Sequence, residues 1–312
     1  MTILILRQKL FLPFYCDYFS ERIKYMSNYV IMTDSACDLK PEYLEGLGVK
    51  LVELTFIFTD DNKTYSNFDL APADFYKQMR NGRIAKTAAI NVAGFRDFFE
   101  TELKAGNDVL YLGFSSGLST TYNSACIAAA ELKEEYPDRK IICVDSLSAS
   151  AGFGLYVYLT AKEKEAGKSI EEVADFAKRL VPSLAHWFTV DDLVYLKRGG
   201  RVSPTVAFVG GLLGIKPVLH MDDDGHLINM SKVRGRKAAL SALADKYGET
   251  VSDKSAPVWI SHGDCIEDAK LLGEILKEKY GTEVSLIADI GPVIGAHSGP
   301  GTLALFFVAK QR

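Results

Sequence analysis

Along the chain, short β-branched or apolar runs alternate with longer amphipathic segments. This alternation predicts βαβ units and a largely parallel sheet in the first half of the chain. The predicted strands there are residues 29–33, 51–58, 109–114 and 140–144, and the predicted helices are residues 41–47, 73–79, 93–103, 120–135 and 152–164.

The hydrophobic pattern restarts at Ser169, which together with Glu171 and Glu172 predicts a capped helix start. We therefore expect a domain boundary near residue 166. Beyond it, a hairpin turning at residues 222–225 is combined with alternating strands and helices, which predicts a mixed sheet. The predicted strands are residues 184–189, 216–221, 227–232, 258–262, 283–289 and 303–308, and the predicted helices are residues 237–246 and 266–278.

The predicted fold class is therefore α/β, with two domains. Residues 26–165 form an N-terminal domain whose mainly parallel sheet is flanked by helices, and residues 166–312 form a C-terminal domain with a mixed sheet and helices. Residues 1–25 precede the first strand as an extension. They are apolar and basic, as in a signal peptide, but charges interrupt the apolar run, so we expect translation to start at Met26 rather than export.

The composition restricts the function. The chain has 312 residues, of which 48% are hydrophobic and 24% charged, as in ordinary globular proteins. A net charge of −4 argues against nucleic acid as a partner. Five cysteines without a CxxC pair favour free thiols in a reducing cytoplasm. Charges or glycines break the apolar stretches before the ~18 residues that a membrane span needs.

The most informative segment is the Ser/Gly loop of residues 115–119, which joins a buried strand to a helix. Free backbone amides and the helix dipole favour an anion at a helix N-terminus, and hydroxyl groups add donors. A carboxylate or phosphate site is one interpretation. The other is that the serines only cap the helix, with Ser119 as the capping residue.

The same loop suggests an alternative function. Residues 113–117 match G-x-S-x-G, with Ser115 in the position of a hydrolase nucleophile, and Asp289 and His297 follow in triad order. Residues intervene between Ser115 and the helix, and no HGGG-type oxyanion segment precedes it. A serine esterase is therefore the alternative hypothesis.

Two later segments contain further candidate binding residues. His297 lies in a loop rich in glycine and proline, residues 290–302, and a neutral imidazole can contact a carboxyl group. Arg201 lies in the basic, glycine-hinged segment of residues 197–203. The apolar residues 204–219 that follow contain glycines, which leave room for an alkyl chain or allow close packing of a helix.

Several cofactor motifs are absent from the sequence. It contains no GxxxxGK[ST] loop, no HExxH and no GxGxxG after a strand, and its other histidines are dispersed. We therefore expect no nucleotide, nicotinamide or metal cofactor.

Six ordered motifs lie between Tyr29 and Val308. They are Thr33-Asp34-Ser35 with Cys37-Asp38-Leu39, Lys86-Thr87, residues 114–119 with Thr121-Tyr122, Asp145-Ser146 with Ser148-Ala149-Ser150, residues 191–203, and residues 291–301. Taken together they are far more specific than any one of them, and they resemble the DegV family.

The resemblance implies a fatty acid buried between two α/β domains. On the matching motifs, Thr87, Ser115, Ser116 and His297 would surround the carboxylate, and Arg201 would face the mouth of the site. One departure concerns this region. The family usually continues Lys86-Thr87 with serine, glutamine and proline, whereas this chain has Ala88-Ala89-Ile90, so a hydroxyl and an amide are missing beside the expected head group.

The resemblance also implies a partner. Family members present a long-chain fatty acid to a separate ATP-dependent fatty acid kinase, which forms an acyl phosphate for phospholipid synthesis. This chain would then be a carrier subunit without catalytic residues, unless it has kept the pocket and lost the kinase. Because a buried acyl chain leaves slowly, we also expect a mobile flap and transient contact with a membrane surface.

Overall fold

The structure is a computed structural model that describes residues 28–61, 63–202 and 214–312. The predicted extension, the predicted start at Met26 and most of the glycine-rich run after Arg201 lie outside these residues. The end of that run, residues 215–219, belongs to a β-strand.

The described residues form strands and helices in alternating order. The strands are β1 (Tyr29–Asp34), β2 (Val49–Val52), β3 (Thr55–Phe58), β4 (Thr64–Ser66), β5 (Ala85–Ala88), β6 (Asp108–Gly113), β7 (Ile141–Asp145), β8 (Leu184–Thr189), β9 (Ile215–Met221), β10 (Leu227–Arg234), β11 (Trp259–His262), β12 (Leu286–Asp289) and β13 (Leu303–Val308). The helices are α1 (Pro41–Gly46), α2 (Pro72–Arg80), α3 (Val92–Lys104), α4 (Thr121–Glu135), α5 (Ser150–Glu165), α6 (Ile170–Leu180), α7 (Val194–Arg198), α8 (Arg236–Thr250), α9 (Ile266–Tyr280) and α10 (Pro292–Ser298).

The N-terminal sheet is parallel, with the strand order β2-β1-β6-β7. Ile31 of β1 pairs with Val49 on one side and with Leu110 on the other. Every residue of β6 is buried, as expected for a central parallel strand covered on both faces. Phe95 and Phe99 of α3 pack in the core on one face. The predicted parallel sheet flanked by helices is confirmed.

The C-terminal sheet is mixed, with the strand order β10-β9-β8-β13-β11-β12. Strands β9 and β10 form the predicted antiparallel hairpin, whereas β11 and β12 are parallel. The hairpin turns at Gly225, which has a φ of +76° and donates its amide to the Asp222 carbonyl at 3.0 Å. Helices α8 and α9 pack on one face through apolar residues such as Leu240 and Leu272. The predicted mixed sheet is confirmed.

One predicted strand is wrong. Residues 51–58 are not continuous, because β2 ends at Val52 and β3 begins at Thr55 in a different sheet. Leu54, between them, is buried, and its amide donates to the Ser35 hydroxyl at 2.9 Å, which turns the chain. Strands β4-β3-β5 form a third, antiparallel sheet that was not predicted, since β4 and β5 lack the alternation of apolar and polar residues.

Two helix starts also differ from the predictions. The segment around His297 is not a loop, because Pro292 begins the short helix α10 and Gly299, at a φ of +82°, follows its end. Helix α4 has Thr120 at its N-cap without a side-chain capping bond; Ser119 instead accepts the amide of Thr121 at 3.2 Å. The capping box predicted at Ser169 is present.

The two halves of the chain share one hydrophobic core. Helix α5 contacts β8, β11 and β13 of the mixed sheet and also packs on α6. Ile31 and Leu112 of the parallel sheet belong to the same buried cluster as Phe188 and Phe306 of the mixed sheet. The boundary near residue 166 stays a prediction. No helix within the described ranges is long and apolar enough to cross a membrane.

Candidate functional site

A cavity of about 370 Å³ lies between the two halves of the chain. This volume falls within the range of ~300–1,000 Å³ typical of small-molecule sites. Much of its wall is apolar, and both halves contribute. The apolar lining includes Leu54, Phe114, Leu118, Phe188, Leu196, Met221, Leu227, Val293, Ile294, Ala304 and Phe306.

Two strands of the mixed sheet build much of this wall. His186 and Phe188 are two residues apart on β8, and Ala304 and Phe306 are two apart on β13, so each pair lies on one face of the sheet. None of these residues was predicted to line a pocket. The alternation along each strand places the two residues of a pair on the same face of the sheet. It does not show which face lines a cavity, so it could not identify them as pocket residues.

Three separate elements bring polar residues together at one part of the cavity wall, which is called the polar end below. Thr87 lies on β5, His297 on α10, and Arg201 just after α7. The Thr87 hydroxyl and Nε2 of His297 are 2.8 Å apart. Ser116 also lies on the cavity wall, together with Ser119 and Thr120. The structure thus brings four of the five predicted carboxylate-binding residues to one place.

The His297 ring is held in a narrow space. A Cβ atom on Gly199 would lie only 2.2 Å from Nδ1 of His297, so the glycine is required for this close approach. Nδ1 is buried and has no hydrogen-bond partner within the described part of the chain. Burial, with the nearby Arg201 charge, lowers the pKa of His297 to about 4. The imidazole is therefore neutral near pH 7.

Arg201 supplies the positive charge of the polar end. Its Nε donates to the Leu118 carbonyl at 3.0 Å, and a second guanidinium nitrogen donates to the Gly199 carbonyl. Burial lowers the pKa of Arg201, but an arginine remains protonated in proteins. Within residues 28–61, 63–202 and 214–312, no carboxylate forms an ion pair with Arg201. This uncompensated charge favours an anionic ligand.

The backbone amides of residues 116–119, in the Ser/Gly loop, are hydrogen-bonded within the protein, so the prediction of free amides rests on the start of α4. The Ser116 amide lies 3.3 Å from both carboxylate oxygens of Asp145, and the Gly117 amide donates to the Ser115 hydroxyl at 3.2 Å. The amides of Leu118 and Ser119 both donate to the Ser115 carbonyl at 3.1 Å. An anion at this end would therefore meet hydroxyl groups and the guanidinium rather than a ring of loop amides.

Ser115 is the predicted site residue that does not line the cavity. Its side chain is fully buried, and its hydroxyl donates to the Gly225 carbonyl at 3.0 Å. The bond fixes the loop to the β9–β10 hairpin of the other half. Asp34 holds the start of the loop by accepting the Phe114 amide at 3.0 Å and the Tyr111 hydroxyl at 2.7 Å. Burial raises the pKa of Asp34 to about 6.

The residues of the alternative esterase do not form a triad. The Ser115 hydroxyl donates to Gly225, and His297 contacts Thr87 instead of Ser115. Asp289 lies beside a different histidine, 3.6 Å from Nε2 of His262. A nucleophile needs a base within hydrogen-bond reach, and among the described residues Ser115 has none. In the described ranges, no cluster of three or more His, Cys, Asp or Glu side chains is arranged to hold a metal.

Comparisons with known proteins agree with this architecture. Residues 28–310 match the family described as uncharacterised proteins of the DegV family. A DegV domain-containing protein of Clostridium perfringens is 44% identical over 291 residues, which cover 92% of this chain and 99% of the relative.

Two solved structures share the fold. A DegV lipid-binding protein from Thermotoga maritima is 31% identical with a TM-score of 0.78, covering 91% of this chain and 99% of that one. A DegV family protein from Thermus thermophilus, described by its fatty acid binding, is 28% identical with a TM-score of 0.80, covering 90% and 99%. This chain therefore belongs to the DegV family.

Proposed function

We propose that this chain binds a long-chain fatty acid in the cavity, with the carboxylate beside Arg201 and the hydrocarbon along the apolar wall. The observation that carries the proposal is the Arg201 guanidinium on the wall of a largely apolar cavity, where no carboxylate among the described residues neutralises its charge. The lipid and fatty acid binding named for the Thermotoga and Thermus relatives supports it.

The polar end has complementary partners for a carboxylate. Arg201 balances the charge, and the hydroxyls of Thr87 and Ser116 can donate hydrogen bonds. His297 is neutral and contributes a hydrogen bond without charge. Along the wall, each buried methylene contributes ~0.8 kcal/mol, which corresponds to about a fourfold gain in affinity. Affinity should therefore rise with chain length until the cavity is full.

The test compares palmitate with hexadecanol, which has the same chain and no charge. Delipidated protein is titrated with each ligand. We expect wild type to bind the acid more than tenfold tighter than the alcohol, because a charged hydrogen bond is worth ~1.5–3 kcal/mol. Arg201→Gln should remove this preference. Arg198→Gln, at an exposed position on α7, should keep it. If Arg201→Gln preferred palmitate over hexadecanol as strongly as wild type does, the proposal would be contradicted.

On the same proposal, the chain is a non-catalytic carrier that presents the carboxylate to a separate ATP-dependent fatty acid kinase. Acyl phosphate from that kinase would feed phospholipid synthesis. The site would work in the cytoplasm, and loading would involve transient contact with a membrane surface. The polar end fits this role because Ser116 and Thr120, on the cavity wall, are exposed. A partner can therefore approach the head group from outside.

The kinase step has its own test. Palmitate-loaded protein is mixed with ATP and a fatty acid kinase from the same genome, and acyl phosphate is trapped as a hydroxamate. Product that requires both proteins would support the carrier role. Tight fatty acid binding without product would leave a lipid-binding protein that does not serve this kinase.

A further inference from the structure

Two cysteines face each other away from the cavity, between α4 and β7. Tyr122 and Cys126 are four residues apart on α4 and therefore lie on the same side of that helix. The Tyr122 hydroxyl donates to the backbone carbonyl of Cys143 on β7, at 3.4 Å. Cys126 is one turn further along the same side, which places its thiol toward Cys143.

The direction of the Cys143 side chain agrees with this placement. Ile141 and Cys143 are two residues apart on β7 and point to the same face of the sheet. Ile141 packs in the cluster that contains Ala125 and Ala129 of α4, and Cys143 packs against that cluster. Both cysteines are free and only partly buried, so a small oxidant can reach them.

The contact between the two thiols makes them unequal. The neighbouring Cys143 thiol, and after it the Tyr122 hydroxyl, lower the pKa of Cys126 despite partial burial. The same contact raises the pKa of Cys143. This shift favours the thiolate of Cys126, which is the reactive form. Burial raises the pKa of Cys37, and it raises that of Cys265 to about 11.

We propose that Cys126 and Cys143 form a peroxide-sensitive dithiol, an oxidative modification site separate from the lipid cavity. The Cys126 thiolate attacks one oxygen of hydrogen peroxide, the O–O bond breaks, and the departing hydroxide leaves as water after taking a proton. Cys126 is then a sulfenic acid. The Cys143 sulfur attacks the Cys126 sulfur, the S–O bond breaks, and the hydroxide leaves with the Cys143 proton as a second water. Two thiols and one peroxide give one disulfide and two waters.

The experiment exposes the reduced full-length protein to hydrogen peroxide, blocks the remaining thiols with N-ethylmaleimide under denaturing conditions, and maps peptides without reduction. We expect a peptide pair that joins Cys126 to Cys143 and a protein mass lower by two hydrogens before alkylation. Cys37 and Cys265 should stay reduced and should therefore be alkylated by N-ethylmaleimide. In Cys143→Ser, the disulfide should be absent, and dimedone should trap more sulfenic acid on Cys126 than in wild type.

A second variant keeps the test decisive if Cys143→Ser fails to fold. In Cys126→Ser, Cys143 should still be fully alkylated by N-ethylmaleimide after the peroxide dose that forms the disulfide in wild type. The proposal is overturned if both cysteines of wild type remain fully alkylated after peroxide. It is also overturned if either one pairs with another cysteine, or if non-reducing gels show dimers joined through Cys126.

Discussion

Replacing Gly199 with alanine tests whether the position of the His297 ring controls lipid affinity. Gly199 follows α7 with a φ of −72°, which alanine adopts without strain. The added methyl group would lie 2.2 Å from Nδ1 of His297 and 3.1 Å from its Cγ. The ring must therefore move, and its 2.8 Å contact with the Thr87 hydroxyl would be lost.

The magnitude follows from the contacts that disappear. A hydrogen bond to a charged ligand group is worth ~1.5–3 kcal/mol, and 1.4 kcal/mol changes Kd tenfold, so we expect Kd for palmitate to rise by about 10- to 100-fold. The free energy of unfolding should fall by only ~1 kcal/mol, the net value of one neutral hydrogen bond. Isothermal titration with delipidated protein measures the first quantity, and urea denaturation measures the second.

The neighbouring glycine provides the matched control. Gly200 has a φ of +69°, and a Cβ atom there would have no heavy atom within 4 Å. Gly200→Ala therefore adds strain of ~1–2 kcal/mol without touching His297. We expect Gly200→Ala to lose at least as much stability as Gly199→Ala but to keep the wild-type affinity for palmitate. If Gly199→Ala binds palmitate as wild type does, the reasoning about His297 is refuted.

The remaining predictions concern the loop and the effect of pH. Ser115→Ala should lower the free energy of unfolding by ~1 kcal/mol in urea titrations, because the bond to Gly225 is lost, whereas Ser116→Ala should not. Ester hydrolysis that depended on Ser115 would restore the esterase hypothesis. The pKa of His297 is about 4 in the folded chain and 6.5 as an ordinary histidine, so the unfolded chain binds more protons between these values. The free energy of unfolding therefore falls as pH drops through that window, by up to ~3 kcal/mol. In His297→Asn, the free energy of unfolding should depend less on pH. The same pH dependence in the variant as in wild type would contradict the burial argument. Palmitate affinity should be constant from about pH 6 to 8, since His297 stays neutral and Arg201 stays charged. If direct titrations instead showed affinity falling as the pH rises through about 6.5, a protonated histidine would be holding the carboxylate.

The secondary structure was predictable where local patterns are strong. Strands with continuous apolar runs, such as β1 and β6, and the capping box at Ser169 follow from residues close together in the chain. The break at Leu54 was not predictable, because it depends on the Ser35 hydroxyl, 19 residues earlier. Strands β4 and β5 were missed for a similar reason. Their short sequences carry little alternation, and β5 is a strand because it pairs with β3.

The family, the α/β class and four of the residues that meet at the polar end could be predicted from the amino-acid sequence. Motifs and hydrophobic periodicity depend on residues close together in the chain, so they can be recognised without knowing how the chain packs. The roles of those four residues, in contrast, depend on the folded chain. In the folded chain, Ser115 turns toward Gly225, the loop amides are occupied and Thr87 contacts His297. No carboxylate among the described residues pairs with Arg201. The contacts of Ser115 with Gly225, Thr87 with His297 and Arg201 with Leu118 each join groups more than 80 residues apart in the chain. Their approach is set by how two sheets pack around a shared core.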